Sequence, residues 1–146
     1  MSRCELTTRE VKKWLQQASR AKKELENLEV RLKVAKMQAE GIKGIKEYNY
    51  ITSSGTKGNS IENDLFNVCE IQQLYDSRKK AYKKLISDMT NTISKLNDYE
   101  FETVLICRYL LFNTISETAE IMHYSIDTVK LRTNQAIEKF THLSLA

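Results

Sequence analysis

The chain of 146 residues contains no proline, and its four glycines, Gly41, Gly44, Gly55 and Gly58, all fall in one short stretch. Proline removes a backbone donor and clashes with the preceding turn, and glycine costs about 1 kcal/mol in a helix interior. Keeping both out of the flanking sequence permits long uninterrupted helices on either side of residues 41–60. The fold class this predicts is all-α.

The first helix is predicted from about Thr7 to Glu40. Thr7 and Glu10 have the spacing of a capping box, and Leu6 and Val11 that of a hydrophobic staple. Val11, Trp14, Ala18, Ala21, Leu25, Leu28, Leu32, Ala35 and Ala39 then recur in alternating steps of three and four, the period of a coiled-coil seam. Residues 41–60 hold every glycine together with Ser, Thr and Asn, and read as the connection. Its apolar members, Ile42, Ile45, Tyr48, Tyr50 and Ile51, should pack partly onto the helices. A second long helix is predicted from about Ser60 to Leu96. It has one stripe of Leu65, Val68, Tyr75, Tyr82, Ile86, Met89, Ile93 and Leu96, and another of Ile71, Leu74, Ala81 and Leu85. Each helix should span roughly 50 Å. Together they read as a long antiparallel helical hairpin covering residues 1–97. Two helices enclose little interior, so the hairpin should self-associate, most simply as a dimer.

After Leu96 the pattern shortens, and residues 98–146 read as a small three-helix module. Asn97 or Asp98 starts its first helix. Thr114 and Glu117 form a second capping-box spacing, and Ser125 caps the third helix. Two short helices around the His123-Tyr124-Ser125 turn have the sequence form of a DNA-reading helix-turn-helix. Small Ala119 suits the crossing of the two helices, and Val129 anchors the second to the core. Ser125, Ile126, Asp127, Lys130, Leu131, Arg132, Asn134 and Gln135 are then the candidate DNA-binding residues. Lys and Arg suit phosphates and guanine, and Asn and Gln suit adenine edges.

Residues 96–140 resemble the C-terminal domain of phage late-operon transcriptional regulators of the ArpU/RinA type, itself similar to the promoter-reading domain of sigma factors. The matching residues are Leu105, Arg108, Tyr109, Ala119, Tyr124, Ser125, Thr128, Val129, Ala136 and Ile137. The chain departs from that pattern at Ile115, at Thr118 where the family is apolar, at His123 where it favours glycine, and over Leu131–Thr133. The resemblance implies a sequence-specific activator in the cytoplasm of a bacterial host cell. Double-stranded DNA would be its partner, with host RNA polymerase as a second. Two other readings stay open: a small terminase subunit for DNA packaging, and a helical inhibitor that binds a host protein and no DNA.

Charge is divided unevenly. Residues 1–97 carry 19 Lys/Arg against 12 Asp/Glu, a balance of +7, whereas residues 98–146 carry 4 against 7, a balance of −3. Affinity for DNA comes largely from cations on phosphates, so an acidic reading module either takes its phosphate contacts from basic residues of the hairpin or turns its acidic surface to RNA polymerase. The densest basic cluster, Arg78, Lys79, Lys80, Lys83 and Lys84, is the candidate for phosphate contact, against its plainer reading as a solvated helix face. Lys12, Lys13, Arg20, Lys22 and Lys23 read as a solvated face too. Cys4, Cys69 and Cys107 have no metal-ligand spacing with His123 or His142, so neither a metal site nor a cofactor is expected. The chain offers no apolar run of membrane length and no signal-peptide core near Met1. It has no Ser/His/Asp set, no glycine loop for phosphate and no paired carboxylates, so no enzyme is expected.

Overall fold

The computed structural model describes residues 6–41 and 57–143, and every regular element among them is helical. Cys4 and the apolar residues of the connection, Ile42 to Ile51, lie outside these residues. The elements are α1 (Thr8–Leu15), α2 (Gln17–Lys36), α3 (Lys57–Ser94), α4 (Tyr99–Leu105), α5 (Ile115–Met122) and α6 (Ile126–Thr141). Helix α2 ends in a π-helical turn, Met37–Gly41, and α4 continues into another, Ile106–Leu110. Among the described residues no helix is long and apolar enough to cross a membrane.

The helix ends follow from local chemistry. The Thr7 hydroxyl accepts the Glu10 amide at 3.2 Å and starts α1. Gln16 keeps right-handed backbone angles, with Arg20 N–H donating to its carbonyl at 3.2 Å, so α1 passes into α2 with little break. Asn97, at φ 54°, stops the chain leaving α3, and Asp98 caps α4 by accepting from the Glu100 and Phe101 amides. Phe112, at φ 59°, ends the π-turn after α4 as a left-handed cap; the Asn113 amide then reaches back to the Cys107 carbonyl at 2.9 Å.

By compactness the chain divides into two units, Met1–Ala21 with Tyr82–Ala146, and Lys22–Ala81. The first holds the main core. Val11, Leu15 and Ala18 from the N-terminal helices join Met89, Ile93 and Leu96 of α3 and Val104, Leu105, Ala119, Val129, Ala136, Ile137 and Phe140 of the C-terminal elements. Trp14 stacks obliquely on Phe140 with ring centroids 5.1 Å apart. The sequence placed a boundary at 97/98, yet the compact unit that contains α4–α6 also takes in α1 and the end of α3. The physical reason is core size: three short helices leave Phe140 and Leu105 without a third side, and α1 supplies it. Burying a side chain such as Leu15 contributes about 1.5–3 kcal/mol.

In the second unit, Leu32 and Ala35 of α2 are buried against Ile71 of α3, with Val68 beside them. Glu24 pairs with Arg78 at 3.6 Å on the exposed side. This core is thin. Val30, Val34, Met37, Leu65, Phe66 and Leu74 are all exposed, Phe66 by 64%. The buried residue of α3 here is Ile71, from what the sequence read as a secondary stripe, while Leu65 of the main stripe faces outward.

Candidate nucleic-acid interface

Helices α5 and α6 meet across a turn of three residues, His123, Tyr124 and Ser125. The N-terminus of α5 is closed by a complete capping box: the Glu117 amide donates to the Thr114 hydroxyl at 3.1 Å, and the Thr114 amide to the Glu117 carboxylate at 3.3 Å. Its other end is closed by His123 in the left-handed region, φ 58° and ψ 40°, from which the Tyr124 amide reaches the Ala119 carbonyl at 2.9 Å. Ser125 then caps α6, its hydroxyl accepting the Thr128 amide at 3.1 Å.

Thr118 and His123 have local physical explanations. Thr118 is fully buried, and its hydroxyl donates to the Thr114 carbonyl at 2.9 Å. A β-branched residue whose one polar atom is satisfied locally can occupy an apolar site. His123 adopts the positive φ that glycine would adopt without steric cost. His123→Gly is therefore expected to stabilise the protein by roughly 1 kcal/mol, read as a rise in the chemical-denaturation midpoint; a fall would show that the imidazole makes a contact worth more than the backbone strain.

Ala119 and Val129 are both buried in the main core, one on each side of the turn. Thr133, half-buried, bonds its hydroxyl to the Val129 carbonyl at 2.7 Å, and Ala136, Ile137 and Phe140 complete the inner face of α6. Outward lie Ser125, Ile126, Asp127, Lys130, Leu131 and Asn134, all exposed. Ile126 and Leu131 are large apolar groups left 46% and 53% exposed, which a solvated helix face does not need.

Arg132 and Gln135 sit elsewhere. Both are half-buried, and Arg132 donates from Nη1 to Gln135 Oε1 at 2.9 Å while its Nε lies 3.3 Å from Glu100 Oε2. The other Glu100 oxygen accepts the Tyr124 hydroxyl at 2.7 Å. That hydrogen bond to Glu100 holds the Tyr124 phenol above its ordinary pKa, so it remains a donor. The network ties the turn and α6 to the start of α4, and it occupies two side chains that the sequence assigned to the outward set.

Arg78, Lys79 and Lys80 of the basic cluster belong to the second unit, and Lys83 and Lys84 to the first. Arg78 is paired with Glu24, and Lys79 lies over the Tyr75 ring at 5.9 Å. All five are exposed. Neither Lys83 nor Lys84 lines the cleft beside α6. That cleft, of about 320 Å³, is bordered by Lys12 of α1, Arg108 and Tyr109 of the π-turn, and Lys130, Thr133 and Asn134 of α6. Lys12 and Arg108 are the residues sequence reasoning did not place at the site; nothing in local spacing links position 12 to position 130. Among the described residues no cluster of His, Cys, Asp and Glu is placed to hold a metal ion. Compared with protein-family models, curated proteins and solved structures, the chain matches none.

Proposed function

We propose that the chain is a sequence-specific DNA-binding regulator, with α5, the 123–125 turn and α6 forming a helix-turn-helix and α6 as the recognition helix. The observation that carries this reading is the outer face of α6. Its first turns present Ser125, Ile126, Asp127, Lys130, Leu131 and Asn134 to solvent, while Ala119 and Val129 lock the helix to its neighbour from behind. That combination gives base edges a donor and acceptor in Asn134, a cation in Lys130, an acceptor for cytosine in Asp127 and apolar groups for thymine methyls. The family resemblance adds the context of a phage late operon and an activating role.

The contacts Glu24–Arg78 and Leu32/Ala35–Ile71 pair rising numbers on α2 with falling numbers on α3, which supports an antiparallel hairpin. Its exposed Val30, Val34, Met37 and Phe66 favour self-association through this part, and a dimer would present two recognition helices to a two-fold operator.

The test is a titration of labelled duplexes, one selected by the protein from a random library and one scrambled, followed by fluorescence anisotropy. Asn134→Ala is expected to relax discrimination at one base-pair position and to cost about 1–3 kcal/mol on the selected duplex, if the lost contact is bidentate to adenine. Equal wild-type affinity for both duplexes, unchanged in the variant, would remove base reading by α6. The absence of any salt-dependent affinity would move the assignment to an interaction protein that binds no DNA.

A further inference from the structure

Three cations from three separate elements, Lys12 of α1, Arg108 of the π-turn and Lys130 of α6, line one cleft beside Asn134. None of the three has an ion-pair partner among the described residues, whereas Arg132 is matched to Glu100 and Arg78 to Glu24. Arg108 is half-buried; its Nη1 donates to the Asn113 carbonyl at 3.0 Å, which fixes the guanidinium without neutralising it. Holding a cation partly out of water without a counter-charge is unfavourable, and an external anion offsets it. A second depression continues from the first through Lys12 and is lined by Thr8, Arg9, Lys13 and Gln16. No acidic side chain among the described residues lines either one.

We propose that these two depressions form a seat for the DNA sugar–phosphate backbone, so that the N-terminal helix α1 is part of the DNA-binding surface. The inference rests on the helix-turn-helix reading and extends it. A free phosphate ion needs one enclosed pocket, whereas an open track that runs from Asn134 past Lys130 and Lys12 to Arg9 and Lys13 suits a polymer of phosphates. Its position suits that polymer as well: Lys130 and Asn134 belong both to the cleft and to the outward face of α6, so a strand flanking the groove occupied by α6 would pass over Lys12. The arrangement also answers the charge problem. Residues 98–146 are acidic on balance, but the compact unit to which they belong includes Arg9, Lys12 and Lys13.

Phosphate contacts position and do not discriminate, and each adds about 0.9 to the slope of log affinity against log salt. The exposed residues Lys12 and Lys13 can be changed to Gln without touching the core. In the same anisotropy titration, at several salt concentrations, Lys12→Gln/Lys13→Gln is expected to weaken the selected and scrambled duplexes by equal factors. The factor is roughly tenfold per lost contact at about 0.1 M salt, and the salt slope should flatten by about one unit per contact. Lys33→Gln/Lys36→Gln, at exposed positions of the other unit, is expected to leave both unchanged. If the wild type binds and discriminates but Lys12→Gln/Lys13→Gln keeps its affinity and slope, the backbone seat is overturned and base reading by α6 stands. If the Lys12 variant loses discrimination with little change in slope, Lys12 reads bases and the seat is again overturned. If the wild type binds neither duplex at low salt, the helix-turn-helix reading fails and the seat with it.

Discussion

Leu15→Ala is expected to destabilise the protein by about 2–5 kcal/mol and to melt α4–α6 in the same transition as α1. Leu15 has no solvent exposure and shares one apolar cluster with Phe140, Ile137, Leu105 and Ile93. Truncating it removes the transfer free energy of its buried methyls and leaves a cavity among side chains that belong to the C-terminal elements. If residues 98–146 were an independent domain, the same change would loosen only the N-terminal helices. The two cases separate in a thermal melt followed at the single tryptophan, Trp14, which rests on Phe140, and by far-ultraviolet circular dichroism. A fragment beginning at residue 98 gives the complementary measurement. It is expected to lack a cooperative transition, because Val104, Leu105 and Phe140 lose the wall that Val11, Leu15 and Ala18 form. A fragment that melts cooperatively at a temperature near that of the full chain would show that α1 is a decoration on the module and not part of its core.

The local signals were legible because they are local. Thr7, Thr114 and Ser125 cap the helices whose starts they mark, and His123 takes the positive φ its position required. The all-helical class follows from the placement of glycine and the absence of proline. The seam was legible only in part. Val11, Ala18, Leu28, Leu32 and Ala35 are buried as the three-four rhythm predicts, but fully buried Leu15 lies off it. A seam describes one partner helix, whereas α1 is covered from more than one side by a globular core, and that widens its apolar face beyond what the rhythm records. Leu65 and Leu74 face outward for the opposite reason: the core between α2 and α3 is so thin that Ile71, with Val68 beside it, suffices to cover it. At the candidate site, Arg132 and Gln135 read as outward from their spacing on α6. Arg132 instead pairs with Glu100, a residue on another helix that no helical periodicity can bring into view, and Gln135 accepts a hydrogen bond from Arg132. Lys12 was hidden for the same reason in reverse. It looks like one more charge on a solvated face until the chain folds back and sets it beside Lys130.

Ala119→Arg is expected to remove the proposed DNA binding and to destabilise the first compact unit by about 3 kcal/mol or more, while much of the helicity of residues 22–81 persists. Ala119 is only 7% exposed and shares the main core with Val129, which has no exposure at all. Its carbonyl also accepts the Tyr124 amide that closes the turn. A long side chain there must push the helices apart, at about 1–3 kcal/mol for overpacking, and must carry its guanidinium either into the core or out through the turn. Either route displaces Val129, and with it the backbone that aims Lys130 and Asn134. Ala119→Gly makes the useful comparison. It keeps a small residue at this position and costs only about 1 kcal/mol of helix propensity, so the proposed recognition surface should survive and bind with little change. Circular dichroism should then show Ala119→Arg losing the transition of the main core but retaining signal from residues 22–81, whose small cluster of Leu32, Ala35 and Ile71 is distinct from the one that holds Ala119. An Ala119→Arg protein that melts and binds duplex as the wild type does would mean that the helices do not cross at this residue. The outward assignment of Lys130 and Asn134 would lose its basis at the same time.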